Sequence, residues 1–337
     1  MPESRTSDSA DDSGSADDSG SADDSGSADD SDSADDSGSA NDSDSAKDSA
    51  NDSAFDSAYD ELLATWPHPT TASELPTPYG TTHLLHHGAE DAPPVLLLPG
   101  GGSTAGSWRT TAAALGATHR VHAVDLVGGP GRSRTDGRPI RTAADLTAWL
   151  DAVLDGLGLT SAAFCGHSYG GWIALRYALA APDRTDRLVL LDPTGCFAGF
   201  RPGYLRRALP TLLRPTAART AGFLAWETGG AEHDPRVRRL DTLAAELPRL
   251  RPVTGPRPTA TELAALRPPA LVLVAEGSRT HDAYEVATRA TALGLRAELV
   301  PGATHHTLPA TLPPKTLATL TGFLAPKRLD PADRPRP

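Results

Sequence analysis

Residues 164–175 read FCGHSYGGWIAL. An apolar run ends at Cys165 or Gly166 and helix-like residues begin near Tyr169, which leaves Ser168 alone to make the turn from strand to helix. So tight a bend forces one residue toward sparsely populated backbone angles and throws its side chain clear of the sheet. Gly166 and Gly170 read as positions where a Cβ would collide with the neighbouring strand or helix. The turn also sets a helix N-terminus beside the hydroxyl, where free N–H groups and the positive end of the dipole favour negative charge. Only seven serines lie outside the acidic N-terminal stretch, so chance would give Gly-x-Ser-x-Gly on the order of 0.1 times in such a chain. A strand before it and an amphipathic helix after it complete the context that gives the motif chemical meaning. The plainer alternative is a serine that only caps the helix.

Working outward, further apolar runs recur, each bounded by Gly, Pro or Asp: VLLL at 95–98, HRVHAVDL at 119–126, RLVLLD at 187–192, ALVLVAE at 270–276 and RAELVPG at 296–302. Most are continuous rather than alternating, as expected of strands covered on both faces. Helix-like segments separate them, beginning at Thr142, Gly170, Asp282 and Pro314. The alternation predicts an α/β fold with a mostly parallel central sheet and helices on both faces. Residues 193–269 break the rhythm with helical patches and no convincing strand, and are expected to form a helical lid insertion rather than a separate domain.

The first 60 residues carry 19 Asp and Glu against 2 Lys and Arg, a net charge of −17 that leaves +5 for the other 277. This stretch repeats SADDSG and holds almost nothing apolar larger than Ala before Phe55. It cannot bury enough surface to offset ordering entropy, so residues 1–55 are expected to be a disordered acidic tail, with divalent ions or a basic partner as an alternative role. The expected organisation is completed by a folded domain at 56–326 and a second tail at 327–337. No apolar stretch approaches the ~18 residues of a membrane span and no secretion signal is evident, so a cytoplasmic protein is expected. The two cysteines, Cys165 and Cys196, fit no metal spacing, and Cys165 reads as a buried core thiol.

With these residues in view, the chain from Tyr59 to about Leu324 resembles the α/β-hydrolase family, in its carboxylesterase-like branch. VLLLPGGGSTAGSW is similar to the family's oxyanion loop, HAVDLVGGPGRS to its strand and loop ahead of the nucleophile, and PGATHHTLP to the loop that delivers the catalytic histidine. The resemblance implies Ser168 as nucleophile, His305 as base with His306 its rival, and the N–H groups of Gly101 and Tyr169 as an oxyanion hole. Pro99-Gly100 stands where relatives carry His-Gly, which removes a bracing side chain and keeps the backbone donor. Relatives often place the acid directly after the seventh strand, where this chain has Ser278; Asp282, four residues on, is the first choice. Asp282 with Glu285 also forms a helix-capping pattern, and Asp192, at the end of the preceding strand, is the alternative acid. Asp125 is read as fixing a loop, and Trp108, Tyr169 and Trp172 as core residues or walls of an acyl pocket.

The implied activity is cleavage of a small-molecule carboxylic ester, lactone or thioester through an acyl-enzyme, with no metal or organic cofactor and no nucleic-acid or membrane partner. A serine rather than an aspartate at the turn argues against the family's epoxide hydrolase and haloalkane dehalogenase branches. An acyltransferase, or a silent ligand-binding module, are the alternatives on the same fold. The sequence does not read out an oligomeric state.

Overall fold

The computed structural model describes the backbone of residues 38–231, 233–247 and 251–325, with side chains from residue 50 onward. Its centre is an eight-stranded sheet: β1 (Thr70–Thr77), β2 (Gly80–His87), β3 (Pro94–Leu98), β4 (Arg120–Val124), β5 (Ala162–His167), β6 (Thr185–Leu191), β7 (Ala270–Ala275) and β8 (Arg296–Val300). The order across the sheet is β1-β2-β4-β3-β5-β6-β7-β8. From β4 to β8 every pairing is parallel, while β1 and β2 form an antiparallel hairpin joined to β4.

The six parallel strands are the six apolar runs of the sequence. Within them successive residues serve opposite faces: Leu96, Leu98, Phe164, Leu190 and Val272 pack on one side, and Val95, Leu97, Cys165, Leu191 and Leu273 on the other. Both faces of β3 to β7 are largely buried, so these runs need no polar alternation, while β8 at the sheet edge is partly exposed. The β1–β2 hairpin was not visible as strands. β1 is polar, proline-containing and half exposed, and β2, though buried throughout, is rich in Thr and His, so neither carries a strong strand signal.

Helices α3 (Ala143–Gly156), α4 (Ser168–Ala180) and α9 (Ala283–Ala292) cover the first face; α2 (Arg109–Leu115) and α10 (Pro314–Leu324) cover the second. Thr142 starts α3 with a reciprocal capping box to Asp145, which satisfies donors that a helix start otherwise leaves free. The 193–269 stretch carries helices α5 (Pro202–Leu213), α6 (Ala217–Thr228), α7 (Pro235–Ala244) and α8 (Ala260–Ala264), and no strand among its described residues.

Helix α1 spans Gly38–Leu63, so residues 38–55, expected to be disordered, are helical. Phe55, Ala58, Tyr59 and Leu62 are buried at helical spacing. They anchor the C-terminal half, and adding turns to an existing helix is far easier than nucleating one. The expectations for residues 1–37 and 327–337 lie outside the described residues. No described helix is long and apolar enough to cross a membrane.

Candidate functional site

Register decides where the chemistry gathers. Leu98 of β3 pairs with Gly166 of β5, His167 with Leu191 of β6, and Leu191 with Leu273 of β7. The strands therefore end together, and the residues that follow them are set side by side at the carboxyl edge of the sheet, where open α/β sheets place their ligands.

Ser168 makes the turn from β5 into α4 with φ of 51°, a left-handed conformation that costs a non-glycine residue on the order of 1 kcal/mol or more. The glycines around it are required by space. A Cβ on Gly166 would lie 2.4 Å from the Gly170 carbonyl oxygen, and one on Gly170 would lie 2.3 Å from that of Leu98. Strand, turn and helix can be this close only without those side chains.

The Ser168 hydroxyl donates to His305 Nε2 at 2.8 Å. On the other side of the ring, His305 Nδ1–H donates to Asp192 Oδ2 at 2.5 Å. Bonding to a carboxylate assigns the proton to Nδ1, which leaves Nε2 free to accept from the serine. His306 does not reach Ser168; its ring stands edge-on to His305 and to Phe223.

Here the structure corrects the first choice of acid. Asp282 is N-cap of α9, accepting from Glu285 N–H at 3.1 Å, and its side chain is 45% exposed in an ion pair with Arg201. The histidine is held instead by Asp192, which is fully buried at the end of β6 with φ of 42°. Asp192 accepts three further hydrogen bonds, from Ala275 N–H at 3.0 Å, Ser278 Oγ at 2.8 Å and His281 Nε2 at 3.0 Å. The Ser278 hydroxyl thus helps to hold the carboxylate that bonds His305.

Electrostatics follow from this packing. Burial alone would raise the Asp192 carboxyl, yet hydrogen bonds from His281 and His305 hold it far below the usual carboxylate range. Burial pulls His305 down, but the Asp192 bond and charge, with a contribution from Glu227, leave it above an ordinary histidine. His167 is pushed down to about 3, by burial and by His305, and so is neutral. Its Nε2–H donates to the His305 carbonyl at 2.9 Å, bracing the histidine loop from the residue next to the serine.

Gly100 and Gly101 follow β3 and stand against this centre. A Cβ on Gly100 would meet His167 at 2.8 Å, and one on Gly101 would lie 3.5 Å from Tyr169 Cβ. Above them opens a cleft of about 900 Å³, counting its mouth, with Ser168, His305 and the glycine loop in its floor. Tyr204, Leu212, Phe223, Leu224 and Val237 of α5, α6 and α7 make its apolar walls. Asp241 of α7 also faces the cleft; burial pushes its carboxyl up to about 7, against a hydrogen bond from Ser103.

Trp108 and Trp172 are buried in the core, and Tyr169 stacks on Trp172; none of the three lines the cleft. Asp125 ties loops together, accepting from Tyr59 Oη, Ala105 N–H and Arg132 N–H. Both cysteines are buried free thiols whose pKa burial raises. Among the described residues no group of three His, Cys, Asp or Glu side chains is arranged to hold a metal ion. Sequence reading missed His281 and Glu227, and the role of Ser278 as a donor to Asp192, since each contacts residues distant along the chain.

A parallel sheet with a strained serine turn at its carboxyl edge, facing a histidine from the loop after the last strand, defines an α/β hydrolase. The Alpha/beta hydrolase family model matches residues 95–319, and the chain belongs to that family. It is similar to carboxylesterase YbfK of Bacillus subtilis (strain 168), 31% identical over 257 residues that make up 73% of this chain and 85% of that protein. The crystal structure of that esterase, CesB, aligns with a TM-score of 0.75 at 30% identity, covering 80% of this chain and 96% of the other. Naproxen esterase from Bacillus subtilis aligns with a TM-score of 0.74 at 25% identity, covering 81% and 98%.

Proposed function

We propose that this protein hydrolyses carboxylic esters of small molecules through an acyl-enzyme on Ser168. One observation carries the reading: the unbroken hydrogen-bonded chain from Ser168 Oγ through His305 to Asp192 in the floor of an apolar cleft. His305 Nε2 takes the serine proton as Oγ bonds to the ester carbonyl carbon, and Asp192 holds the ring in the tautomer that can accept it. The carbonyl oxygen becomes an anion beside Gly101 and Tyr169. Because α4 begins at Ser168, the Tyr169 N–H is among the helix donors that lack an intrahelical partner, and with Gly101 N–H it receives the charge. The proton then passes to the departing alcohol oxygen as its bond to carbon breaks, and water, deprotonated by the same histidine, releases the acid. Similarity to carboxylesterases supports the bond class.

The walls from α5, α6 and α7 favour an apolar acyl or alcohol group, and we read residues 193–269 as a lid over it. The test is fluorophosphonate labelling together with turnover of p-nitrophenyl esters of graded chain length. Wild type is expected to label and turn over, and Ser168→Ala to do neither; an unlabelled wild type, inert toward the whole panel, removes the proposal.

A further inference from the structure

Glu227 is the most unusual side chain in the inserted helices. It lies on α6, fully buried, where an ionised carboxylate costs several kcal/mol unless a cation or strong donors compensate it. Its two oxygens accept from two consecutive backbone amides of the histidine loop, Oε1 from His305 N–H at 3.2 Å and Oε2 from His306 N–H at 3.3 Å. Among the described residues no lysine or arginine is in ion-pair contact with it; Arg279, nearby in the fold, lies over the Trp226 ring instead. His306 offers no charge, since burial and the neighbouring His305, His167 and His233 hold it well below an ordinary histidine. The residue whose backbone it holds and whose ring the chemistry makes cationic is His305.

The groups facing His305 are few. Asp192 bonds its Nδ1 and Ser168 its Nε2, while the His167, His281 and His306 rings stand 4.9, 6.4 and 5.1 Å away. Asp241 of α7 and Tyr204 of α5 face the same cleft. Of the carboxylates, Asp192 and Glu227 are the two that act on His305, one from the sheet edge on the ring and one from the insertion on the backbone.

We propose that Glu227 is a positioning residue for the base: it clamps the His305–His306 backbone from helix α6 and supplies a second negative charge that stabilises the His305 imidazolium formed when Ser168 gives up its proton. Seating of the inserted helix and basicity of His305 are then one property. This deepens the hydrolase reading and rests on it.

The test is the pH profile of kcat/KM for p-nitrophenyl butyrate, measured on the full chain as wild type, Glu227→Gln and Glu227→Asp. Loss of the charge is expected to move the acid limb of Glu227→Gln down by about 1 pH unit, the lower end of what a nearby opposite charge contributes, with the plateau reduced roughly tenfold. Glu227→Asp, with its charge kept but withdrawn, is expected to shift the limb part of the way. An unmoved limb in either folded variant, whatever happens to the plateau, overturns the proposal, because a purely structural clamp lowers turnover without changing the midpoint. Should Glu227→Gln fail to fold, the limb of Glu227→Asp decides alone. Fluorophosphonate labelling of wild type separates the two levels: labelling with an unmoved limb removes only Glu227, whereas no labelling removes the hydrolase reading beneath it.

Discussion

Asp192→Asn is a sharper probe than alanine at the same position, because the surroundings dictate how the amide must lie. Asp192 Oδ1 accepts from the Ala275 backbone N–H and from His281, and Oδ2 accepts from Ser278 and His305. The Ala275 amide can only donate, so the oxygen of the substituted side chain is committed to that side and its NH₂ group faces His305. Ser278 can rotate its hydroxyl to accept, and His305 must present a bare Nδ1 and carry its proton on Nε2. That tautomer cannot take a proton from Ser168. A triad locked in the wrong tautomer loses about 10⁴ in kcat, or about 5 kcal/mol of transition-state stabilisation at 1.36 kcal/mol per tenfold. Asp192→Asn is therefore expected to lose three to four orders of magnitude in turnover of p-nitrophenyl butyrate with its fold intact by circular dichroism. Asp282→Asn keeps its capping oxygen at the surface and is expected to stay within about twofold of wild type. The reasoning is refuted if the two variants exchange these behaviours, or if Asp192→Asn retains more than about a tenth of wild-type turnover.

Three further outcomes follow from the same geometry. The base must be neutral to act, and His305 sits above an ordinary histidine, so kcat/KM is expected to rise with pH through a midpoint above about 6.5; a midpoint well below that contradicts the site's electrostatics. The Asp241 carboxyl at about 7 in the folded state against about 3.9 unfolded means that the folded form binds the proton more tightly, so stability falls as pH rises from about 4 to about 7. Asp241→Asn is expected to gain stability relative to wild type between pH 5 and pH 8, by at most about 3 kcal/mol, read as a widening gap in Tm. Gly170→Ala places a Cβ 2.3 Å from the Leu98 carbonyl oxygen and is expected to cost about 3 kcal/mol, visible in denaturant midpoints; an unchanged midpoint shows that strand and helix are not so closely packed.

What the sequence could reveal depended on how local each cause is. The serine turn was legible because the strain at Ser168 and the contacts of Gly166 and Gly170 lie within a few residues of one another. The parallel strands were legible because burial on both faces leaves unbroken apolar runs. The β1–β2 hairpin was hidden by its polar and histidine-rich composition, and the helical form of residues 38–55 had no signal in a repeat that carries almost no large apolar side chain before Phe55. The expectation of His305 rested on chain order and its loop, and its ring lies between Ser168 and Asp192. Glu227 had no local signature, since its role exists only where α6 packs on the histidine loop.

The displaced acid shows why motif spacing alone was bound to be ambiguous there. β6 and β7 are neighbours in the sheet, with Leu191 opposite Leu273, so the residues after the two strands reach the same point in space from positions some 85 apart in the chain. His305 needs one buried carboxylate against Nδ1 and is indifferent to which strand delivers it. The strand that does not must then supply donors, because a second carboxylate in the same dry volume would repel the first. This chain meets that condition: the β7 side contributes Ala275 N–H, the Ser278 hydroxyl and the His281 ring, all directed at Asp192. Ser278 after β7 is therefore the complement of Asp192 after β6, and the two positions carry their meaning only as a pair.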